Sequence, residues 1–276
     1  MGVERGNMDL LVLALVGTSA LVYEEQRIAR LAVSCGLLSI GIALKLIPIF
    51  CLSLVARFSK RAFIVACALF AAGCVFIVAT FQYVILIHRN VPTTFVLSYG
   101  YKALFLGLDH LRGQDGLGSW QLANTWLPLV IAAVVLIGAV IVAARNVTTR
   151  HELCSIDRSI AGTAFLFGAG IYCGTYLLGT NFVYRLMFLL LCIPQLLDWL
   201  PQTDKDARPA ESALLVIVLG VLWVNGSPNG HSTFLLLPQV LNWILFFFLA
   251  TILISNFLRH IRALRATATI VPSGRS

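Results

Sequence analysis

Residues 179–199 read GTNFVYRLMFLLLCIPQLLDW, and the reading of this stretch decides what kind of protein the chain makes. It is apolar enough to cross a bilayer. As an α-helix it would reach about 30 Å, the hydrocarbon thickness of a membrane. Yet Asn181, Tyr184, Arg185, Gln195 and Asp198 lie within it or at its ends. On a helix turning ~100° per residue, Asn181, Tyr184, Gln195 and Asp198 fall on one stripe, with Arg185 one position round from it. Polar groups are costly in lipid, so this stripe is expected to face other helices or a wet cavity.

The surrounding chain agrees. Its 276 residues are 59% hydrophobic and 12% charged, against about 25% charged in an ordinary soluble domain. A soluble fold of this size has no room to hide so much apolar surface, so lipid must solvate much of it. Apolar runs occupy about 9–23, 31–55, 62–88, 122–144, 160–180, 182–200, 212–225 and 233–258. The expected fold is an all-α integral membrane protein, one transmembrane domain over residues 1–276, with about eight helical spans. The first and seventh runs are short for a span, so six or seven spans stay open as alternatives. No A-x-A-like site precedes Glu24, so a cleavable signal is not expected.

The net charge of +8 is gathered in short segments between the apolar runs. That distribution belongs to membrane topology and gives no basic face for nucleic acid. With the loop holding Arg57, Lys60 and Arg61 cytoplasmic, strict alternation of eight spans places thirteen basic residues inside and five outside. Both termini are then expected in the cytoplasm.

Particular segments carry finer expectations. Lys45 lies within the second run beside Pro48, which should kink that end. Snorkelling of Lys45 to the interface is the preferred reading, with a paired, functional lysine as the alternative. In the outer loop 89–121, the piece Thr93–Leu111 reads as an interfacial or re-entrant helix, with a turn at Gln114-Asp115-Gly116. The run 160–180 is rich in Gly and Ala and includes a GxxxG at Gly170 and Gly174, a pattern for close helix contact. A tight turn at Gly179-Thr180-Asn181 joins it to the opening stretch.

The chain carries no Walker loop, HExxH or GxSxG, and no acidic pair spaced to hold magnesium. Its seven cysteines form no CxxC and no Cys/His ligand spacing. Neither a metal nor a cofactor is expected. What remains gathers towards the outer face: His88, Arg89, Lys102, Asp109, His110, Asn181, Tyr184 and Arg185. Cations beside a carboxylate are what sugar transfer from a phosphate-linked lipid needs. The cations hold the leaving phosphate and the carboxylate takes a proton from the acceptor hydroxyl. Arg185 suits the phosphate through its planar fork of donors, with Asn181 and Tyr184 as neighbours. Lys102 and His110 complete the binding set, and Asp109 is the candidate base. The plainer readings are an interfacial anchor for Arg185 and a solvated helix face for Asp109 and His110.

The run GTYLLGTNFVYRLMFLLLCIPQLLDW, residues 174–199, resembles a segment of bacterial polytopic membrane glycosyltransferase-like proteins of the C-class architecture. In those, a Tyr-Arg pair opens a span that ends near Pro-Gln-Leu-Leu; Tyr184, Arg185, Pro194 and Gln195 match. The resemblance implies a bacterial cytoplasmic (inner) membrane protein of cell-envelope glycan or glycolipid assembly. It implies a polyprenyl-phosphate sugar donor and transfer on the outer face. Such enzymes carry a catalytic acid in a large first outer loop, where this chain has only about Glu24 to Arg30. The expected partners are membrane lipid and a lipid-linked sugar. A non-enzymatic membrane component, either a transporter or a scaffold subunit, is the alternative.

Overall fold

A computed structural model describes residues 2–24, 26–57, 60–90, 98–114, 122–148, 156, 158–178, 181–202, 208–226 and 236–269. Among them the chain is helical except for one short ribbon. The α-helices are α1 (Gly2–Val22), α2 (Ile28–Leu44), α3 (Lys60–Asn90), α4 (Ala103–Gln114), α5 (Leu127–Thr148), α6 (Ile160–Leu177), α7 (Ile193–Gln202), α8 (Arg208–Gly226) and α9 (Leu237–Thr269). Runs of 3-10 helix cover Ile47–Arg57, Leu122–Asn124 and Val183–Cys192. The ribbon pairs β1 (Ser98–Tyr99) antiparallel with β2 (Asn181–Phe182), setting Tyr99 opposite Asn181. The expected turn residues Asp115, Gly116, Gly179 and Thr180, and the side chains of His88 and Arg89, lie outside the described residues.

Five helical segments among the described residues are long and apolar enough to cross a membrane, as a multi-pass membrane protein requires. They are Phe63–Gln82, Leu127–Val147, Ile160–Leu177, Val183–Leu200 and Leu237–Arg262. Their outer faces are apolar: Phe63, Phe70, Val78 and Phe81 on α3 and Val134, Ile137 and Ile141 on α5 are exposed. In water that surface would drive association; in lipid it needs no cover.

Helix α6 is the hub. Ser159 caps its start, its hydroxyl accepting from the Gly162 amide at 3.0 Å. Nearly all of α6 is buried, and its glycines receive the two long 3-10 runs on different faces. A Cβ at Gly168 would stand 2.7 Å from the Phe188 carbonyl oxygen, and one at Gly170 2.6 Å from that of Phe50. A 3-10 run is narrower than an α-helix, so its backbone sits close wherever the facing helix has no side chain.

Proline marks where segments begin. Pro48, Pro128, Pro194, Pro209 and Pro238 each take the second position of their element, where a missing amide hydrogen costs nothing. Pro194 thus separates the Val183–Cys192 run from α7. The expected single helix over 179–199 is corrected on this point: the stretch is a strand, a 3-10 run and an α-helix in succession.

The apolar run 31–55 is likewise not one span. Helix α2 ends at Leu44, and Lys45 adopts an extended conformation. The chain then doubles back so tightly that a Cβ on Gly41 would stand 3.0 Å from Pro48. The reversal is visible in the contacts. Phe50 lies against Gly170 and Gly174, while Ser53 donates to the Leu166 carbonyl at 2.6 Å, so the run descends α6. Helices α1 and α2 form an antiparallel hairpin, joined by Ser19 and Ser34 hydroxyls 2.6 Å apart and by Lys45 with Asp9.

This extra reversal changes the parity of the N-terminal part. Asp9 lies at the α6 end marked by Thr175, while Gly17 sits by Leu191 and that residue by Gly168. At the other side of α6, Asn242 meets Tyr172 and Asn256 meets Ile156. Helices α1 and α9 therefore both run antiparallel to α6. Asp9 and Asn256 stand at opposite ends of the bundle.

Candidate functional site

The start of α1, the break after α2 and the passage from α6 through β2 meet at one end of the bundle. Asp9 is fully buried there, and Lys45 Nζ forms an ion pair with its Oδ2. The same ammonium lies 5.6 Å from the centre of the Tyr184 ring, within cation–π range. Arg185 donates through Nη1 to Asn181 Oδ1, and Asn181 Nδ2 donates to the Thr175 carbonyl in the last turn of α6. The snorkelling reading of Lys45 is thereby overturned. Its side chain leaves the helix at the break and points to a buried carboxylate, because the extended backbone of Lys45 frees it from the α2 surface.

Tyr99 closes the cluster from β1. Its hydroxyl and Thr175 Oγ1 lie 2.7 Å apart, and Thr175 Oγ1 donates to the Ile171 carbonyl at 2.7 Å, so Tyr99 is the donor of the pair. Burial pushes the Tyr99 hydroxyl up to about 12, against the pull of its Thr175 hydrogen bond and the Arg185 charge. It therefore stays a neutral donor. Asp9 and Tyr184 also act on this hydroxyl, which gathers α1, β1, α6 and the Val183–Cys192 run around one point.

An aromatic stack supports this end. Tyr99 stacks on Tyr172 at 5.9 Å, Tyr172 on Tyr176 at 6.0 Å, and Tyr176 on Phe246 at 4.6 Å. The Tyr172 hydroxyl donates to the Asn242 carbonyl at 2.9 Å, and Gln239 Nε2 donates to the Ser98 carbonyl at 2.8 Å. These bonds tie the ribbon to α9, so the backbone of Asn181 is held from two sides. Such support from the surrounding groups is what fixes a polar site in place.

Of the residues expected from sequence, Asn181, Tyr184 and Arg185 come together. Lys102 lies on the turn after Gly100, its ammonium 5.8 Å from the Tyr101 ring. His110 is exposed on α4. Asp109 works within the fold itself. Its Oδ1 accepts from the Leu122 amide and its Oδ2 from the Ala123 amide, each at 2.8 Å. Both oxygens hold the Leu122–Asn124 turn. A hydrogen bond to a charged group is worth about 1.5–3 kcal/mol, so Asp109→Ala should speed hydrogen exchange at those two amides by roughly tenfold or more. Gln195 and Asp198 belong to α7; Gln195 is buried and Asp198 exposed.

Sequence reading missed Asp9 altogether. It stands at the first position of an apolar run, where a carboxylate reads as an interfacial residue. The available signal was its match to Lys45, an intramembrane cation without a carboxylate on its own segment.

No protein-family model, curated protein or solved structure matches this chain. The site must therefore be read from its own chemistry. Among the described residues no three His, Cys, Asp or Glu side chains are grouped to share a metal ion. The cluster offers a guanidinium, an ammonium, a carboxylate, an amide and two phenols. Two of its buried atoms, Asp9 Oδ1 and Arg185 Nε, have no hydrogen-bond partner among the described residues.

Proposed function

We propose that the chain is a multi-pass protein of the bacterial cytoplasmic membrane that acts in cell-envelope glycan or glycolipid assembly, transferring a sugar from a polyprenyl-phosphate donor. One observation carries the reading: Arg185, Tyr184 and Asn181 converge with a buried carboxylate, Asp9, at one end of a lipid-facing bundle. Arg185 holds the phosphate. Asp9, in place of Asp109, takes the proton of the acceptor hydroxyl as its oxygen bonds to the sugar's anomeric carbon. The bond from that carbon to the phosphate oxygen breaks, and its electron pair stays on the phosphate beside Arg185.

The charge pattern supports an outer-face location for this end. With the extra reversal included, eleven described basic residues belong to the opposite end: Arg27, Arg30, Arg57, Lys60, Arg61, Arg145, Arg158, Arg208, Arg259, Arg262 and Arg265. The site end holds Arg5, Arg89, Lys102 and Arg112 besides the two cations of the cluster. Basic segments stay in the cytoplasm, so the N-terminus is read as outside and the C-terminus as inside.

In nanodiscs, transfer from a polyprenyl-phosphate hexose donor should fall at least about a hundredfold in Arg185→Ala, the scale of losing a transition-state donor. Wild-type transfer by that variant would sink the role. A second reading has its own support. The break at Lys45 and the strand at Asn181–Phe182 are discontinuities meeting at a polar site, as in transporters. Uptake of an anionic substrate into proteoliposomes without sugar transfer would favour it.

A further inference from the structure

Asp9, Lys45 and Arg185 put one carboxylate against two cations. Lys45 is matched to Asp9, whereas Arg185 is bonded to the neutral amide of Asn181. Among the described residues no carboxylate pairs with Arg185, and a half-buried cation at the end of a membrane bundle without a matching charge attracts an anion. The unpartnered atoms say what fits. Arg185 Nε is a donor and suits an anionic oxygen; Asp9 Oδ1 is an acceptor, wholly buried, and suits a hydroxyl. Lys45 is paired with Asp9, and its ammonium stands over the ring of Tyr184, the residue before Arg185, on a flexible stem able to swing.

We propose that a phosphate group binds between Arg185 and Lys45 and draws the ammonium off Asp9, so that the pair acts as a latch released by the phosphate. Asp9 is then free to receive the hydroxyl of a second substrate. The proposal rests on the transfer reading above and adds Lys45 as a phosphate ligand whose availability Asp9 controls. The phosphate group belongs either to a lipid or to a free ion, and the same chemistry recognises both.

The test is thermal unfolding of the purified full chain in phosphatidylcholine nanodiscs, titrated with dodecyl phosphate in one arm and inorganic phosphate in the other. A saturable rise in Tm with dodecyl phosphate alone assigns a lipid source. A rise in the inorganic arm shows that the free ion suffices. No rise in either arm overturns the proposal. Arg185→Gln should weaken the response at least about tenfold, and an unchanged response would overturn it too.

Asp9→Asn decides the latch. It keeps a hydrogen-bonding side chain for Lys45 but removes the negative charge that competes with phosphate. Binding should tighten at least about tenfold, whereas a residue that only held the fold together would leave affinity equal or lower. Either of those results sinks the latch. Failure of sugar transfer with these binding signs intact supports the latch and tells against the transferase reading alone. Arg185-dependent transfer by a protein with no phosphate response does the reverse.

Discussion

Lys45→Met is expected to destabilise the protein by about 3–5 kcal/mol, the scale for stranding one member of a buried ion pair. Asp9 is fully buried, and the Lys45 side chain is only 21% exposed, so water reaches the pair poorly. Methionine fills the space of the lysine stem but leaves the Asp9 carboxylate buried without its countercharge. Adding Asp9→Asn to the same chain should recover most of the loss, because a neutral amide is far cheaper to bury than an unpaired charge. The check is a double-mutant cycle of unfolding free energies in one detergent. Independent, additive effects of the two substitutions would show that the pair does not hold α1 to the break after α2.

Gly170→Ala should cost about 1–3 kcal/mol, and Gly170→Leu should abolish folded protein, by overpacking. The added Cβ would stand 2.6 Å from the Phe50 carbonyl oxygen, and backbone cannot rotate out of the way as a side chain can. Ser53 presses on the same spot and is held by its hydrogen bond to the Leu166 carbonyl. Gly168→Ala should behave alike from the other face, where the Phe188 carbonyl oxygen, at 2.7 Å, and Cys192 Sγ, at 2.9 Å, are the obstacles. Gly36 and Gly220 serve as controls. A Cβ at either meets nothing within 4 Å, so alanine there should be neutral or stabilise its helix by roughly 0.5–1 kcal/mol. Detergent-solubilised yield and Tm report all five variants. Equal tolerance at Gly170 and Gly220 would show that the Ile47–Arg57 run does not seat closely on α6.

Much of the architecture was legible along the chain. The apolar runs located the membrane-length segments because transfer into lipid depends on local composition. The glycines at 168, 170 and 174 announced close packing, though not that 3-10 runs would seat against them. Pro48 was read as a kink, but it stands at the second position of a new segment running the opposite way.

The site divided along the same line. Asn181, Tyr184 and Arg185 were visible as costly residues close together in sequence, and Asn181 does bond Arg185. Asp109 and His110 were visible as polar residues on an apolar helix, but that cue cannot distinguish a catalytic carboxylate from one holding two amides of the next turn. Asp9 was missed because its partner lies 36 positions away, beyond the near neighbours that a local reading compares.

By itself the sequence determined the solvent, the rough places of the helices and the cost of the polar residues in 179–199, because these depend on each residue and its near neighbours. The tertiary structure decided the hairpin reversal at Lys45, the pairing of that lysine with Asp9, and the conversion of the opening stretch from one helix into strand, 3-10 run and helix. Those outcomes depend on what α6 presents. Its glycine faces admit a narrow backbone at van der Waals distance, and only once two such runs are seated do Asp9, Lys45, Tyr184 and Arg185 reach the same end.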